Sequence, residues 1–316
     1  MPTPARVSTG RLGVTERHVA GAGALGERLT GVIRNLAWVT ARQARGRDDD
    51  EALALPALAA RGVEVDLVDW DDPAADWARY ERVVLRSAWD YAERLDEFVA
   101  WVDAVAAVTD LRNPAPMVRW STDKHYLLEL ADAGVPVART VVAEPGDEPA
   151  FPPGDVVVKP AVGAGGRDAA SYGPGDLDAA RSHVLRLHGQ GRSVLVQPRL
   201  MSVDADGEWP LMFLGGVYSH AASKRVELPR GRVVDDLFAP EQNLPHTPDD
   251  DQLSVARAAL EHVTARFGVP TYARIDVVRD DDGRPCVLEL ELVEPSLFLP
   301  QADAGAADRL ARALTS

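Results

Sequence analysis

The sequence predicts a mixed fold in which an α/β domain is followed by α+β subdomains. Between residues 35 and 113, strand and helix signals alternate, which is typical of a parallel sheet with helices on its faces. A proline-rich junction, Asn113-Pro-Ala-Pro116, precedes a second half in which several strands pair as hairpins. We therefore expect an N-terminal α/β domain over 32–115, followed by a part with hairpin-paired strands from residue 116 onwards.

The N-terminal domain is predicted from short apolar strands separated by helical stretches. Strands are expected at 35–40, 63–69 and 82–87, and helices at 50–61 and 93–107. Ligands of such sheets bind beyond the carboxyl ends of the strands, so the segment 86–91 is a candidate substrate loop. An ordinary turn with aromatic packing explains this segment equally well.

The second half is expected to begin with a helix that Ser121 or Thr122 caps and that ends near residue 133. Strands are predicted at 137–143, 155–159 and 193–198, with a helix at 176–189. Two hairpins are predicted at 209–222 and 271–293, and two helices at 250–267 and 303–314. The polar stretch 225–248 between them is interpreted as a mobile lid.

Composition narrows the classes of partner. The chain has 316 residues and a net charge of −15, which disfavours binding to nucleic acid or to an anionic membrane. No apolar run is long enough to span a bilayer, and Cys286 is the only cysteine, so no disulfide framework exists. We expect a soluble cytoplasmic protein, for which a homodimer is possible.

Residues 1–31 show no clear periodicity, and we expect a disordered extension with the natural start near Val32. They contain GAGALG at 21–26, which fits the GxGxxG pattern of dinucleotide-binding proteins. That pattern requires a strand before it, and the first convincing strand comes afterwards. A dinucleotide-dependent oxidoreductase therefore remains only a weak alternative.

Lysine is rare in this chain, because only three of the 34 basic residues are lysines and the others are arginines. Lys159 ends an apolar strand and precedes a glycine-rich loop, where backbone amides and an ammonium group suit phosphate binding. Lys124 and Lys224 are the other two. A shared polyphosphate explains all three better than chance survival at the surface, although each alone is typical of a solvated side chain.

Carboxylates near the end of the chain form the acidic counterpart. In VLELELVEPS, Glu289 and Glu291 lie two residues apart on a strand and therefore point to the same face. Asp276 lies on the preceding strand of the hairpin, within cross-strand reach. Because Mg²⁺ is held by a few carboxylates together with phosphate oxygens, the three predict a metal site. A simply solvated face is the alternative.

In this order, the motifs resemble the ATP-grasp superfamily over residues 32–314. VVVKP and the following loop with Gly163, Gly165 and Gly166 resemble its phosphate loop. VLVQPRL resembles its adenine-binding strand and hinge, which places Gln197 and the backbone near Arg199 and Leu200 at the purine. Glu208 matches an acidic position that opens the next strand. The resemblance implies an ATP-grasp fold with three parts: a Rossmann-like N-terminal (pre-ATP-grasp) domain over 32–115, a lid or central subdomain over 116–200 and a C-terminal subdomain over 201–316. It also implies the use of ATP with Mg²⁺, or Mn²⁺ as an alternative.

A closer resemblance is carried by RSAWDY, SHAASK and LELELVEPSLFL, which are similar to the group containing the cycloserine-pathway O-ureidoserine cyclo-ligase. The resemblance to bacterial glutathione synthetase is more distant. At the last metal position that enzyme has Glu-x-Asn, whereas this chain has Glu-x-Glu. The resemblance implies a ligase that phosphorylates the carboxylate of a small amino-acid-like substrate and lets an amine displace the phosphate. The alternatives are an intramolecular cyclo-ligase and a non-catalytic ATP-binding protein.

The same resemblance implies roles for the remaining residues. Lys124 and Lys159 are expected to hold the α- and β-phosphates, while Lys224 and Arg274 stabilise the transferred phosphoryl group. Arg86 is the candidate for a substrate carboxylate, because a guanidinium binds one in bidentate fashion; an ion pair with a local Asp such as Asp90 is an equal alternative. Further substrate contacts are expected from these side chains: Ser87, Asp90, Tyr91, Glu294 and Ser296.

Overall fold

Three β-sheets organise the chain, and the computed structural model describes residues 33–226, 228, 230–234 and 241–316. The predicted extension 1–31 and its GAGALG sequence lie outside the described residues. The predicted combination of α/β and α+β architecture is confirmed, because the first sheet is parallel and the other two are antiparallel.

The first sheet is formed by the N-terminal region, with strand order β2-β1-β3-β4. Its strands are β1 (Asn35–Thr40), β2 (Glu64–Asp69), β3 (Arg82–Ser87) and β4 (Asp110–Arg112), with helices α1 (Glu51–Ala60) and α2 (Leu95–Ala106) between them. Every residue of β3 is buried, as expected of a central parallel strand. The C-terminal helix α8 (Ala306–Thr315) shares an apolar cluster with α1, so the end of the chain returns to this sheet.

The junction after the first sheet differs from the prediction, because it contains two short helices rather than a linker and one helix. These are α3 (Ala115–Ser121) and α4 (Tyr126–Asp132). Pro114 and Pro116 start α3, since a proline in the first turn lacks only an N–H that would have no partner there. Ser121 therefore ends a helix instead of capping the next one, and His125 precedes α4.

The second sheet has strand order β5-β8-β6-β7 and is fully antiparallel. Its strands are β5 (Val141–Ala143), β6 (Val156–Pro160), β7 (Ala170–Tyr172) and β8 (Val194–Pro198), and helix α5 (Leu177–His188) packs on one face. The sequence predicted β6, β8 and α5 closely. It extended β5 too far towards the N-terminus and missed β7, because three residues carry too little periodicity.

The third sheet has strand order β11-β10-β9-β12-β13. Its strands are β9 (Trp209–Leu214), β10 (Val217–Val226), β11 (Glu241–His246), β12 (Tyr272–Arg279) and β13 (Pro285–Glu291), with the unpredicted helix α6 (Met201–Asp206) and helix α7 (Asp250–Phe267). Helices α3, α4 and α7 share the apolar core of this sheet. Each predicted domain range thus contains one sheet, while its exact limits stay a prediction.

Part of the polar stretch 225–248 is ordered by hydrogen bonds rather than forming one continuous loop. Residues 241–246 form β11, which pairs with β10 so that Asn243 lies opposite Lys224. Val234 exchanges backbone hydrogen bonds with residues 168 and 169, beside β7. Residues 241–246 are therefore a paired edge strand rather than an irregular loop. Their movement as a lid stays a prediction, and residues 227, 229 and 235–240 lie outside the described part.

Candidate active site

The glycine-rich loop follows β6 and begins directly after Lys159 and Pro160. Val156 and Val158 face the core of the second sheet, whereas Lys159 points to the other face and is only partly buried. Gly165 and Gly166 have φ values of 62° and 72°, in the left-handed region that glycine enters without steric penalty. The loop conformation therefore depends on glycine where the backbone would approach a phosphate.

Lys159 differs from Lys124 and Lys224 in its ion pairing. Within the described part of the chain, no carboxylate lies at ion-pair distance from its ammonium group. Burial lowers the pKa of Lys159, and the more distant charge of Glu289 only partly opposes that effect. A desolvated ammonium group in this state is stabilised by an anionic ligand.

Lys124 links the glycine-rich loop to β13. Its Nζ donates to the carbonyl oxygen of Gly163 at 2.9 Å and lies 2.9 Å from Oε1 of Glu289. Burial by itself would lower the pKa of Lys124, but Glu289 outweighs burial and the pKa is raised. The residue is therefore charged, and it sits where the second and third sheets approach each other.

Lys224 is held by two carboxylates on neighbouring strands. Its Nζ lies 2.7 Å from Oε2 of Glu208 and 3.3 Å from Oδ2 of Asp276. Burial opposes the charged form, but Glu208 and Asp276 outweigh it and raise the pKa of Lys224. Glu208 also exchanges both backbone hydrogen bonds with Lys224, which fixes their side-by-side position.

Arg274 and the carboxylates of β12 and β13 form a buried network. Arg274 binds Asp276 in bidentate fashion, with Nε to Oδ1 at 2.8 Å and Nη2 to Oδ2 at 2.9 Å. Arg274 also pairs with Glu291, its cross-strand neighbour, while Glu289 lies opposite Asp276. Glu289 and Glu291 thus lie at adjacent cross-strand pairs, as the two-residue spacing predicts.

The two glutamates experience different electrostatic environments. Burial raises the pKa of both, but Lys124, Lys159 and Lys224 outweigh burial at Glu289 and lower its pKa to about 2. At Glu291 burial prevails over Arg274, and the nearby charges of Glu289 and Asp276 add to it, so its pKa rises to about 7. Glu291 therefore lacks sufficient positive charge in its surroundings, whereas Glu289 is well compensated by the lysines.

A metal site is compatible with this donor set but is not preassembled. Among the residues that the structure describes, no three carboxylate, imidazole or thiol groups converge as a metal centre. Asp276, Glu289 and Glu291 are each paired with a lysine or arginine instead. Hard carboxylate oxygens and a deficit of positive charge are what Mg²⁺ requires, with nucleotide phosphates as further ligands. The metal site remains a prediction.

The residues expected at the purine lie around β8 and its exit. Gln197 is buried and donates from Nε2 to the hydroxyl of Thr140 at 2.8 Å. The backbone N–H of Arg199 donates to the carbonyl oxygen of Asp155, and its guanidinium binds Asp204. Leu200 packs into a small apolar cluster before α6. These groups lie at or just beyond the C-terminal end of β8, and their role at a purine stays a prediction.

Arg86 is placed differently from the expectation. It is fully buried, it donates from Nη2 to Asp50 at 3.1 Å and to the carbonyl oxygen of Pro295 at 2.9 Å, and it lies between the rings of Trp38 and Tyr272. Its ion-pair partner is therefore Asp50 rather than the expected Asp90. A role of Arg86 at a substrate carboxylate stays a prediction.

The other expected substrate residues divide into two groups. Ser87 is buried against Thr40, and Asp90 accepts a hydrogen bond from Trp70. Tyr91, in contrast, is affected by the charges of the acidic cluster: burial raises its pKa first, followed by Glu294, Glu291 and Glu289. The carbonyl oxygen of Ser296 lies 3.4 Å from Nη1 of Arg274. The structure thus brings Tyr91, Glu294 and Ser296 towards the site, but not Ser87 or Asp90.

Several supporting residues were not predicted. The Tyr126 hydroxyl accepts from the N–H of Leu290, and the Ser121 hydroxyl accepts from the N–H of Leu292, so α3 and α4 hold β13 in place. The Trp89 indole donates to the carbonyl oxygen of Glu294 at 3.0 Å. Sequence patterns give no signal for these contacts, because they join segments more than 160 residues apart.

Comparisons with known proteins agree with this geometry. Residues 36–113 match the family model described as the N-terminal domain of D-cycloserine synthetase DcsG. Over 293 aligned residues the chain is 41% identical to the cycloserine biosynthesis protein DcsG of Streptomyces lavendulae. The aligned region covers 88% of this chain and 97% of that protein. The crystal structure of D-cycloserine synthetase DcsG superposes with a TM-score of 0.83 at 39% identity, over 89% of this chain and 98% of that one.

More distant structures share the fold. The D-alanine–D-alanine ligase of Bacillus anthracis has a TM-score of 0.61 at 13% identity, over 90% of this chain and 96% of that one. The ATP-grasp ligase PsnB has a TM-score of 0.58 at 20% identity, over 88% and 97%. The predicted ATP-grasp fold is confirmed, and the non-catalytic alternative is wrong. The chain belongs to the ATP-grasp ligase family that includes DcsG, and it is an ADP-forming enzyme that makes carbon–nitrogen bonds.

Proposed function

We propose that this enzyme is a cyclo-ligase that closes an O-ureidoserine-type amino acid on itself through an acyl phosphate. The similarity to DcsG over nearly the whole chain supports ring closure within one molecule over the joining of two. The broader prediction, a carboxylate–amine ligase with a small amino-acid-like substrate, differs only in where the attacking nitrogen comes from.

The convergence of three cationic side chains, Lys124, Lys224 and Arg274, on the carboxylates of the third sheet is the observation that carries this proposal. Lys159 lies nearby and forms no ion pair within the described part of the chain. Phosphoryl transfer needs positioning and charge neutralisation rather than a nucleophilic side chain. The arrangement supplies both.

In the proposed reaction, a substrate carboxylate oxygen attacks the γ-phosphorus of ATP, ADP leaves, and an acyl phosphate forms. The substrate's oxygen-bound ureido nitrogen then attacks the acyl carbon. The bond between that carbon and the phosphate oxygen breaks, inorganic phosphate leaves, and the nitrogen releases its proton. Lys124 and Lys159 hold the α- and β-phosphates, while Lys224 and Arg274 neutralise the charge of the transferred phosphoryl group.

The remaining groups of the site position nucleotide and metal. Asp276, Glu289 and Glu291 would hold Mg²⁺, or Mn²⁺, which when bound would neutralise the phosphate oxygens. The glycine loop with Gly163, Gly165 and Gly166 would cover the phosphates. These groups would surround the base and ribose: Gln197, Glu208 and the backbone near Arg199 and Leu200.

The experiment is a turnover assay with ATP, Mg²⁺ and O-ureidoserine, with and without an added amine. We expect ADP and phosphate in equal amounts without the amine, and a hydroxamate when hydroxylamine traps the acyl phosphate. A requirement for a second amine would favour the broader ligase reaction. AMP and pyrophosphate would contradict the acyl-phosphate mechanism, because they indicate an acyl adenylate.

A further inference from the structure

Glu294 is a buried carboxylate that the reaction proposed above does not use. It lies three residues beyond the end of β13 and is 6% exposed. Within the described residues, no lysine or arginine is at ion-pair distance from its carboxylate. A buried carboxylate without a cation is unstable in its charged form, so this group is suited to a positively charged ligand.

The two cationic side chains close to Glu294 already form ion pairs with other carboxylates. Lys124 is bound to Glu289, and Arg274 is bound to Asp276 and Glu291. Burial and the charge of Glu291 raise the pKa of Glu294 to about 8, and Lys124 and Arg274 only partly counteract this effect. The cluster thus lacks positive charge at Glu294 even though two cations are close.

The backbone that carries Glu294 is fixed by the N-terminal domain. The Trp89 indole donates to the carbonyl oxygen of Glu294 at 3.0 Å, and Arg86 donates to that of Pro295 at 2.9 Å. Asp50 accepts from the N–H of Leu297 at 2.6 Å. These contacts hold the segment 294–299 at the boundary between the first and third sheets, beside the buried Tyr91. Glu294 is therefore a preorganised group rather than a mobile surface carboxylate.

We propose that the carboxylate of Glu294 binds the α-ammonium group of the amino-acid substrate, with Trp89 as a positioning residue. This assignment rests on the proposed function, because it requires a substrate whose reacting carboxyl lies near the phosphoryl-transfer groups. In an α-amino acid the ammonium and the carboxyl group are attached to the same carbon atom. Lys124 and Arg274 act electrostatically on Glu294, so an ammonium group bound by Glu294 would keep the reacting carboxyl on the same carbon atom close to these phosphoryl-transfer groups.

The test measures binding of two compounds by calorimetry in the presence of Mg²⁺ and a nonhydrolysable ATP analogue. One is O-ureidoserine, and the other is 3-(ureidooxy)propanoic acid, which has the same carboxylate and ureido group but no amine. For the unaltered enzyme we expect O-ureidoserine to bind more tightly. In Glu294→Gln we expect its dissociation constant to rise about 10- to 100-fold, while that of the desamino compound changes less than about threefold.

Matched variants separate binding from folding. Glu261→Gln, an exposed change on α7, should alter neither dissociation constant. Trp89→Phe removes the indole N–H but keeps an aromatic ring, and it should weaken O-ureidoserine binding less than Glu294→Gln does. The affinity for the ATP analogue and the melting temperature should be unchanged in Glu294→Gln.

The outcomes are decisive. Equal weakening of both compounds, no weakening, or no preference of the unaltered enzyme for the amine would overturn the assignment. A parallel loss of ATP-analogue affinity would also overturn it, because Glu294 would then act on nucleotide or metal. If the unaltered enzyme binds the amino compound selectively through Glu294 but forms no ADP with it, the proposed function fails while the ammonium site stands.

Discussion

Removal of the Asp50 carboxylate is expected to destabilise the enzyme strongly. Asp50 is 2% exposed and accepts hydrogen bonds from the N–H groups of Leu297 at 2.6 Å and Leu299 at 2.8 Å, as well as from Arg86. Arg86 is itself fully buried, and its Nε and Nη1 have no hydrogen-bond partner among the described residues. Asp50→Ala would therefore leave a buried charge and two buried amides unpaired.

The magnitude follows from these contacts. Loss of one partner of a buried ion pair costs about 3–5 kcal/mol, and each orphaned amide adds about 1–3 kcal/mol before relaxation and water entry. We expect Asp50→Ala to lower the free energy of unfolding by about 4–6 kcal/mol, a large part of the ~5–15 kcal/mol typical of a folded domain. Arg86→Met should cost less, about 2–4 kcal/mol, because Asp50 keeps its two amide donors.

Urea unfolding of the single variants and of the double variant Asp50→Ala/Arg86→Met measures these effects. The double variant should be more stable than the sum of its single changes predicts, by about 2 kcal/mol, because it leaves no unpaired charge. Asp308→Asn breaks an exposed pair with Arg312 and is the control, with an expected cost below about 1 kcal/mol.

The reasoning is refuted if the single changes cost less than about 1 kcal/mol or are simply additive. If Arg86→Met instead keeps its stability and specifically raises the KM for the carboxylate substrate, then Arg86 binds substrate, as its position at the end of a parallel strand suggests.

Three further predictions concern other parts of the molecule. Lys159→Ala should weaken MgATP binding about 10- to 100-fold, as measured by calorimetry. Glu289→Gln should abolish ADP formation while leaving the circular dichroism spectrum unchanged. Near-normal turnover of both variants would contradict the proposed nucleotide site. Burial, and next to it Arg186, lowers the pKa of His183 to about 4, so the folded state resists protonation. Stability should then be complete above about pH 6.5 and fall by up to about 3 kcal/mol as pH drops to 4, and His183→Gln should flatten this dependence of the melting temperature. Burial raises the pKa of the Cys286 thiol to about 12, so a thiol reagent should label the unfolded protein much faster than the native one; equal rates would disprove its burial.

Local patterns in the sequence predict much of this fold. β3, β9 and α7 occupy the predicted residues because each has a run long enough for its periodicity to be read. The charged residues at strand ends, such as Lys159 and Glu289, could be selected because a charge beside an apolar run needs a partner. Lys159 and Glu289, which lie on different sheets of the candidate active site, could therefore both be identified from the sequence.

Tertiary contacts decide what the sequence could not predict. The sequence offered Asp90 as a local partner for Arg86, whereas the structure pairs Arg86 with Asp50, 36 positions earlier in the chain. From the sequence, Pro114 and Pro116 indicate a linker. In the structure they begin α3, which is stabilised because its apolar residues pack on the third sheet. β11 is an edge strand, which is why it can contain Pro245 and be mostly exposed. Because it has no buried face, its sequence shows no alternation of apolar and polar residues that would predict a strand.

Charge balance within the site connects nucleotide binding to metal binding. In the described structure Lys124 and Lys224 neutralise the same carboxylates that are expected to hold Mg²⁺. If the lysines turn to the phosphates of ATP, Glu289 and Asp276 lose their counter-charges in a buried environment, which is unfavourable unless a cation replaces the lysines. A metal ion bound there would thus compensate the protein as well as the phosphates. Nucleotide binding and metal binding would each remove the uncompensated charge that the other leaves. Nucleotide and metal should therefore bind cooperatively, and ATP alone should bind weakly to this site.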